Sequence, residues 1–479
     1  MSRAKLFLEN FLTYGLIQIL NKIIPFLLLP VITRLLPETS DFAVFDMFNL
    51  ILAFGTSLAI MGMYDAMFRE YFEKEDQVYR YNVTTTAQRI VLISSVILSS
   101  ILLIFNKPFS YLFFGTDNYG DIVLFAAIAF FLSANVNLIQ APTRIQNKRK
   151  VFVASGLLSS VCTYALSVIL LYLGYSYFGL IYSNIIAAII MLLFFWILNR
   201  KFFTKGEFDK KIAKELFKIG LPLLPTFLIY WIYNSMDRIM ITNMLGTSEL
   251  GIFAIGSRVA QISLFIYMAF AGGWQYFAFS TMKDDDQVRL NSNVFEYLGA
   301  ISFLSFIVIY PFNKTIFTMM FSGDYVLGYI VFPYLYLAPL LLMLFQVVGN
   351  QFLVIKKTSW VTISLSVGAI INIVLNLMLI KYIGVEGAAI STLIGYIVTL
   401  VIVSIVTIRM KLLILSNRFI IVSIVTVSYT LLNRLFFFGS FLIQLIIAII
   451  LIVVFVYLYK EELSKAAKKI MKKNKPQEN

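Results

Sequence analysis

The sequence predicts an all-α polytopic membrane protein with about 14 transmembrane helices. Its 479 residues are 60% hydrophobic and only 13% charged, whereas a soluble globular protein is about half apolar and a quarter charged. Apolar runs of about 20 residues recur along the chain, with turn or charge signals between them. The runs lack the strict apolar–polar alternation of strands, so they are predicted to be helices, which satisfy their own backbone hydrogen bonds in lipid.

The predicted spans follow one another with short connections. Each begins after a charged or turn-forming segment and is long enough to cross the hydrocarbon layer, although the third is short. In residue numbers they are 11–36, 42–67, 90–106, 121–141, 151–173, 178–199, 217–245, 250–280, 292–312, 329–353, 360–382, 387–408, 418–436 and 439–459.

The distribution of basic residues predicts the orientation of these spans. With the N-terminus in the cytoplasm, and with Lys and Arg residues near a span end counted in the adjoining loop, the inside segments hold 31 of the 39 Lys and Arg residues, the outside loops hold 5, and 3 lie deep within spans. Cytoplasmic loops of membrane proteins carry such an excess of Lys and Arg. Both termini are therefore expected in the cytoplasm. The net charge of +14 reflects topology, with no nucleic-acid partner expected.

An internal duplication predicts two homologous lobes. The segment TSDFAVF at 39–45 returns as TSELGIF at 247–253, an offset of 208 positions that also carries Lys148-Arg149 onto Lys356-Lys357. Each repeat contains six spans, an even number, so the two repeats share one orientation. The predicted division is an N-lobe at 1–199, a basic cytoplasmic linker at 200–216, a C-lobe at 217–410, a helix pair at 411–460 and a basic cytoplasmic tail at 461–479.

Short motifs in a consistent order carry a resemblance to one transporter family. They are GMYDAMFR at 62–69, GLPL at 220–223, Asp237-Arg238, LGIF at 250–253, NIVLN at 372–376 and GVEGAAIST at 384–392. With these motifs the chain resembles the polysaccharide flippases, which are Wzx-type transporters of the multidrug/oligosaccharidyl-lipid/polysaccharide exporter superfamily. The resemblance implies two six-helix lobes around a central cavity that opens alternately to each side.

The resemblance also implies a substrate and a location. The substrate would be an undecaprenyl-pyrophosphate-linked oligosaccharide, an O-antigen or capsular repeat unit. It would move from the inner to the outer leaflet of the bacterial cytoplasmic membrane. Membrane lipid, the polysaccharide polymerase and the chain-length machinery are the further expected partners.

Two alternative functions come from other readings of the same residues. A multidrug exporter of the same superfamily would need carboxylates in its cavity to bind cations, but the charges inside the spans are mainly basic. A membrane glycan polymerase or glycosyltransferase would need a sizeable outer loop, but the longest outer loops, near 107–120 and 313–328, have only about 15 residues.

Two arginines at matching depth predict a binding site for an anion. Arg238 precedes the outer turn at Leu245 by about seven residues, and Arg258 follows Leu250 by about eight. At 1.5 Å per residue both lie roughly 10–12 Å below the outer surface. Burying arginine in a membrane is costly, so these two are predicted to bind substrate. In the alternative interpretation, Asp237 forms a structural ion pair with Arg238, although one carboxylate cannot neutralise both arginines.

Other polar residues inside spans complete the predicted substrate site. Lys22 lies near the middle of span 1, with Asp46 as its structural partner in the alternative interpretation. Asp237 belongs to the predicted substrate site together with Arg238 and Arg258. In the alternative interpretation, the side chain of each remaining candidate forms a hydrogen bond between helices and does not bind substrate. These candidates are Asn234, Asn137, Gln140, Gln346 and Asn350. The motif residues Asn372 and Asn376 are explained equally well by helix packing and by sugar contact.

The residue types argue against an enzyme. The chain has no histidine and a single cysteine, Cys162, and it lacks a phosphate-binding Gly-x4-Gly-Lys-Ser/Thr loop. Without histidine the commonest general base and metal ligand is missing. We therefore expect no catalytic residue, no metal site and no cofactor. A gradient of H⁺ or Na⁺, or consumption of the glycan downstream, would supply the driving force.

Overall fold

The computed structural model of this protein describes residues 23–268, 270, 274, 285–355, 357, 359–462 and 464. The regular elements within these residues are all helical. The helices are α1 Ile23–Leu35, α2 Thr39–Ile60, α3 Met63–Tyr71, α4 Gln77–Ile104, α5 Asn106–Phe114, α6 Gly120–Ile145, α7 Arg149–Tyr172, α8 Ser176–Asn199, α9 Lys201–Thr204, α10 Lys210–Gly220, α11 Leu224–Leu245, α12 Thr247–Ala260, α13 Gln287–Ile309, α14 Asn313–Met320, α15 Phe332–Val354, α16 Ser359–Arg409, α17 Asn417–Leu435 and α18 Phe441–Leu458.

The helices confirm an all-α membrane fold. Within the described residues, 11 helices are long and apolar enough to cross a membrane, or 12 if the bent pair Lys210–Leu223 and Phe227–Leu245 is one span. The predicted count of about 14 is not confirmed by this number. Two differences account for the gap. The helix α1, Ile23–Leu35, is too short to be counted, and the 51-residue α16 counts once although the sequence predicts two spans there.

A glycine breaks α16 where the sequence predicts an outer turn. Gly384 has φ +62° and ψ −144°, and Ile383 before it is also non-helical. A residue with a side chain rarely adopts a positive φ, so glycine permits this break at little cost. The chain can therefore reverse direction between 360–382 and 387–408, as the two predicted spans require.

Contacts group the chain into two compact units. Unit 1 contains α1 to α11 and nearly all of α12, together with two later segments. The two later segments of unit 1 are Met320–Val331 and Leu365–Gly395, and its first segment ends at Val259. Unit 2 consists of the described residues in Ala260–Met319, in Phe332–Ser364 and from Tyr396 onwards. The division into lobes at 1–199 and 217–410 rests on the sequence duplication and stays a prediction.

Within unit 1, the two duplicated helix starts lie against each other. A Cβ added to Gly251 of α12 would lie 2.0 Å from the carbonyl oxygen of Thr39 at the start of α2. Glycine is therefore required for this close backbone approach. The buried Tyr325 hydroxyl lies 2.8 Å from the carbonyl oxygen of Leu36 and 2.7 Å from that of Glu38, so it ties the α1–α2 turn to segment 320–331.

Within unit 2, α17 packs against α13 through aromatic side chains. The Phe419 ring lies 5.0 Å from that of Phe295 and fills the space over Gly299. Arg418 at the start of α17 forms ion pairs with Glu296 at 3.5 Å and Glu462 at 2.8 Å. These contacts attach the C-terminal helix pair to the rest of unit 2.

Candidate substrate site

Asp46 of α2 is the centre of an ion cluster in unit 1. Its Oδ2 lies 2.7 Å from Nε of Arg238 on α11, and its Oδ1 lies 3.1 Å from Nη2 of Arg258 on α12. The Asp46 side chain is 7% exposed, against 17% for Arg238 and 24% for Arg258. One buried carboxylate therefore binds both of the arginines that the sequence predicts to lie at the same depth.

Arg238 is held by contacts from three helices. Its Nη1 donates to the carbonyl oxygen of Asn234 one turn earlier, at 2.7 Å, and its Nη2 donates to the Ser257 hydroxyl at 3.2 Å. Its Cζ lies 5.7 Å from the centre of the Phe253 ring. Because α2, α11 and α12 all contribute, the guanidinium plane is fixed in one orientation.

Arg258 lies between aromatic rings and a polar cavity. Its Cζ is 4.9 Å from the centre of the Phe42 ring and 5.5 Å from that of Phe45. Beside it is a cavity of about 60 Å³, which holds roughly two water molecules. Among the described residues that line this cavity there is no carboxylate, and the polar ones are Asn49, Thr163, Tyr164, Ser167, Asn184 and Arg258.

The charges of the ion cluster do not cancel. Asp46 contributes one negative charge, whereas Arg238 and Arg258 contribute two positive charges. Arginine stays charged when buried, and its planar fork matches the oxygens of a carboxylate or phosphate. A surplus positive charge inside a membrane protein favours an anion as the ligand.

Asp237 belongs to a separate buried cluster in unit 1. It is 3% exposed, and its Oδ1 accepts hydrogen bonds from Nδ2 of Asn372 at 3.2 Å and of Asn376 at 2.6 Å. The Thr392 hydroxyl donates to its Oδ2. The Asp237–Arg238 ion pair of the alternative interpretation is therefore not formed, because Arg238 pairs with Asp46 while Asp237 accepts hydrogen bonds from uncharged groups of α16.

The two asparagines on α16 connect the motifs on which the family resemblance depends. Asn372 also donates to the Thr392 hydroxyl at 3.2 Å, and the buried Oδ1 of Asn376 has no hydrogen-bond partner among the described residues. Thus the motifs 372–376 and 384–392 meet at Asp237 on either side of the break in α16. Their shared role is to surround a buried carboxylate.

The other predicted site residues have different surroundings. Asn234 is exposed, and its side chain donates to the carbonyl oxygen of Tyr230, so it does not share a buried face with Asp237 as the helical spacing predicts. Asn137 and Gln140 form a pair on α6 in which the Gln140 amide donates to Asn137 at 3.2 Å. Lys22 lies outside the described residues.

Two further candidates belong to unit 2. Gln346 on α15 accepts a hydrogen bond from the Tyr267 hydroxyl at 2.9 Å, which is the interhelical role of the alternative interpretation. Asn350, one turn later, is half-buried. The ion cluster of unit 1 therefore consists of Arg238 and Arg258 from the predicted set, together with Asp46.

Sequence reasoning missed Asp46 as the partner of the arginines, although a signal was available. Asp46 follows the outer turn at Thr39 by seven positions, and Arg238 precedes the outer turn at Leu245 by seven. Equal distances from an outer turn give equal depth, because every helical residue adds 1.5 Å. Charges of opposite sign at one depth in lipid are expected to pair.

Comparisons with known proteins agree with this fold. The chain matches the lipid II flippase MurJ in an inward closed conformation with a TM-score of 0.71 and 16% identity, over 94% of this chain and 99% of that one. It also matches an inward-facing multidrug resistance MATE family transporter of the MOP superfamily, with a TM-score of 0.60 and 16% identity over 80% and 93% of the chains.

A third similar structure is a MOP superfamily transporter from Pyrococcus furiosus, described as having a binding pocket of reverse polarity. Its TM-score is 0.55 at 17% identity, over 85% of this chain and 95% of that one. At these identities the likeness shows a common fold. No curated protein matches the sequence.

The family is shown by the sequence itself. The sequence profile described as polysaccharide biosynthesis protein matches residues 31–326, which is more than half of the chain. The matched region includes Asp46, Arg238 and Arg258. This multi-pass membrane protein therefore belongs to the polysaccharide biosynthesis protein family.

Proposed function

We propose that the protein is a flippase that moves an undecaprenyl-pyrophosphate-linked oligosaccharide across the bacterial cytoplasmic membrane by alternating access. The cargo is an O-antigen or capsular repeat unit, and both termini of the protein lie in the cytoplasm. The observation that carries the proposal is the ion cluster of Asp46, Arg238 and Arg258, whose net charge is positive. The family supports a role in polysaccharide synthesis.

A lipid pyrophosphate needs fixed positive charge in the membrane. Its negative charges must leave water during transit, and the cost of that step falls when arginine forks replace the lost hydration. Here both forks are bound to Asp46, and the adjacent cavity of about 60 Å³ is small. The pyrophosphate would therefore compete with Asp46 for the arginines while the cavity widens.

Export of a cationic drug fits the same residues less well. A cation would need a carboxylate that is open to the cavity, but the lining residues that the structure describes beside Arg258 include no carboxylate. Asp46, the carboxylate of the ion cluster, is already bound by two arginines. The surplus positive charge would repel a cationic substrate at this depth, where water screens charge poorly.

We further propose that Asp237 is the coupling site for H⁺ or Na⁺. It is a buried carboxylate whose hydrogen bonds come from Asn372, Asn376 and Thr392, all uncharged. Rotating the two amide groups by 180° would turn their oxygens toward the carboxylate, and amide orientations are inferred from hydrogen bonding. Oxygen ligands of this kind suit a hard cation, and an H⁺ would add to the carboxylate directly.

Complementation of a strain that lacks the gene tests the flippase function. Arg258→Gln should lower surface glycan by about tenfold or more, since it removes a charge-assisted contact to phosphate. The lipid-linked glycan should then accumulate in the membrane. Arg434→Gln, which changes an arginine in the last turn of α17, is the matched control and should export normally. A loss of surface glycan with no accumulated lipid-linked glycan would contradict the proposal and favour a glycosyltransferase that builds the lipid-linked glycan.

Transport in proteoliposomes tests the coupling site. Asp237→Asn keeps the size of the side chain and removes its charge, so flipping should lose its response to an imposed Na⁺ or H⁺ gradient. The exposed Asp324→Asn is the matched control. If Asp237→Asn responds to both gradients as the natural protein does, the coupling site lies elsewhere.

A further inference from the structure

We propose that Arg144 and the aromatic side chains around it form a docking site for the sugar residues of the substrate, at the end of unit 1 that the charge distribution assigns to the cytoplasm. The inference rests on the proposed flippase function, because it names the part of the substrate that is recognised there. It concerns the GMYDAMFR motif at 62–69, which takes no part in the ion cluster.

The motif forms a short helix with one anchored face. Met61 and Gly62 both have positive φ, at +48° and +70°, so the chain bends sharply between α2 and α3. A Cβ on Gly62 would lie 2.6 Å from the carbonyl oxygen of Gly220 at the end of α10, so the bend is held against α10 by direct backbone contact. The buried residues of α3 are Met63, Ala66, Met67, Glu70 and Tyr71.

The side of α3 that flanks its buried face carries two aromatic residues one turn apart. Tyr64 and Phe68 are half-buried, and their ring centres lie 5.5 Å apart. Their positions i and i+4 place both rings on one side of the helix. Anchoring of the buried face therefore fixes the position of an aromatic surface.

Arg144 lies over this aromatic surface. Its Nη1 donates to the Tyr64 hydroxyl at 2.7 Å. Its Cζ lies 5.8 Å from the ring centre of Tyr64, 6.0 Å from that of Phe68 and 5.5 Å from that of Phe152 on α7. The arginine is nevertheless exposed, so its guanidinium edge and the adjoining rings form one accessible polar and aromatic surface.

This combination suits a sugar ring. One face of a pyranose presents C–H groups, which carry partial positive charge and are attracted to the negative face of an aromatic ring. The rim of the sugar presents hydroxyl, carbonyl or carboxylate oxygens, which accept hydrogen bonds from a guanidinium. A phosphate alone would use the arginine and leave the aromatic surface without a role.

The position matches the order of events in transport. α3, the end of α6 and the start of α7 belong to the side that holds most of the Lys and Arg residues, which is the cytoplasmic side by the positive-inside rule. A glycan that is to be moved outward is presented on that side. Sugars bound at Arg144 would orient the lipid-linked glycan before its pyrophosphate reaches the arginines of the ion cluster.

Binding of two probes to the full-length protein in lipid nanodiscs tests this inference. One probe is undecaprenyl pyrophosphate, which has no sugar, and the other is the undecaprenyl-pyrophosphate-linked glycan extracted from membranes of the source cells. Phe68→Leu and Arg144→Gln should each weaken binding of the glycan-bearing lipid about fivefold or more, as expected for one lost stacking or charge-assisted contact. Binding of undecaprenyl pyrophosphate should change less than about twofold.

Three variants make the result specific. Phe68→Tyr keeps the ring and should bind the glycan-bearing lipid as the natural protein does. Phe438→Leu removes the partner ring of Arg434, at 5.2 Å, and serves as the matched control with no expected change. Arg258→Gln should weaken both probes, because it acts on the pyrophosphate.

The outcomes separate this inference from the proposed function. If Phe68→Leu and Arg144→Gln leave both probes unchanged, or weaken both equally, the sugar site is wrong; equal weakening would indicate a lipid or phosphate contact, or a structural role. If Arg258→Gln weakens neither probe while the Phe68 variant weakens only the glycan-bearing one, the sugar site stands and the anion site of the proposed function fails. Arg144→Gln changes an exposed side chain, so the test does not depend on how the Phe68 variant folds.

Discussion

Asp46 and Arg238 form a buried ion pair in which Oδ2 lies 2.7 Å from Nε. The pair joins α2 to α11, two helices that are far apart in the sequence. Arg258 binds the other oxygen of the same carboxylate, at 3.1 Å, so α12 is attached at the same depth. Because three helices depend on one carboxylate, Asp46 controls both the stability of the cluster and its net charge.

Removing the carboxylate should destabilise the protein. In Asp46→Ala the two arginines remain largely buried and lose their counter-ion, which costs about 3 kcal/mol or more for a broken buried pair. Asp46→Asn keeps a hydrogen-bond acceptor and should cost less. The measurement is the thermal unfolding midpoint of purified protein, and equal midpoints for the natural protein and Asp46→Ala would show that the pair contributes little to stability.

The sequence predicts the helical membrane fold well because that signal is repeated over many residues. Each predicted span overlaps a helix, and the predicted outer turn at 383–386 coincides with the break at Gly384. Apolar length and loop charge are sums over about 20 residues, so a single unusual residue does not change them.

The partners inside the candidate site are harder to predict because they depend on single side-chain directions. Asp237 and Arg238 are neighbours in the sequence, but successive helical residues point about 100° apart. Arg238 therefore faces Asp46, whereas Asp237 faces α16. Spacing along one helix identifies the polar residues, and only the packing of several helices decides which of them meet.

A change at Gly251 should disturb the contact between α2 and α12. In Gly251→Ala the new Cβ would lie 2.0 Å from the carbonyl oxygen of Thr39, and backbone atoms cannot rotate out of the way. The helices must separate, at a cost of about 1–3 kcal/mol for such overpacking. The unfolding midpoint should fall, and export should fall with it if this contact closes the outer side during transport.

Gly349→Ala is the matched control for the Gly251 substitution. Its Cβ would lie 3.7 Å from Cγ2 of Val361, which is an ordinary contact, and Gly349 is buried as Gly251 is. Alanine is the better helix former by about 1 kcal/mol, so this variant should be as stable as the natural protein or more so. A similar loss of stability in both variants would indicate a general effect of replacing helical glycine.

The orientation in the membrane can be checked with single cysteines. With Cys162 replaced by serine, Asn118→Cys between α5 and α6 should react with a membrane-impermeant maleimide in intact cells. Glu75→Cys between α3 and α4 should react only after the membrane is opened. Both positions are exposed, so access depends on the side of the membrane alone. The reverse pattern would contradict cytoplasmic termini.

The net charge of the ion cluster should determine how tightly it binds an anion. The natural cluster has a charge of +1. Arg238→Gln leaves one arginine paired with Asp46 and a net charge of zero, so binding of undecaprenyl pyrophosphate should weaken about tenfold or more. Asp46→Asn raises the charge to +2 and should bind this lipid at least as tightly as the natural protein.

The double variant Arg238→Gln with Asp46→Asn separates this role from a purely structural one. Its cluster regains a charge of +1 through Arg258, so it should recover much of the binding that Arg238→Gln loses. A structural ion pair makes a different prediction, since Asp46→Asn and Arg238→Gln would then each impair the protein to a similar degree. The measurement is binding of undecaprenyl pyrophosphate in nanodiscs, with the unfolding midpoint determined in parallel. The four proteins compared are the natural protein, the two single variants and the double variant. If their affinity for undecaprenyl pyrophosphate follows the unfolding midpoint and is independent of the net charge of the cluster, the arginines stabilise the fold and the anion is bound elsewhere.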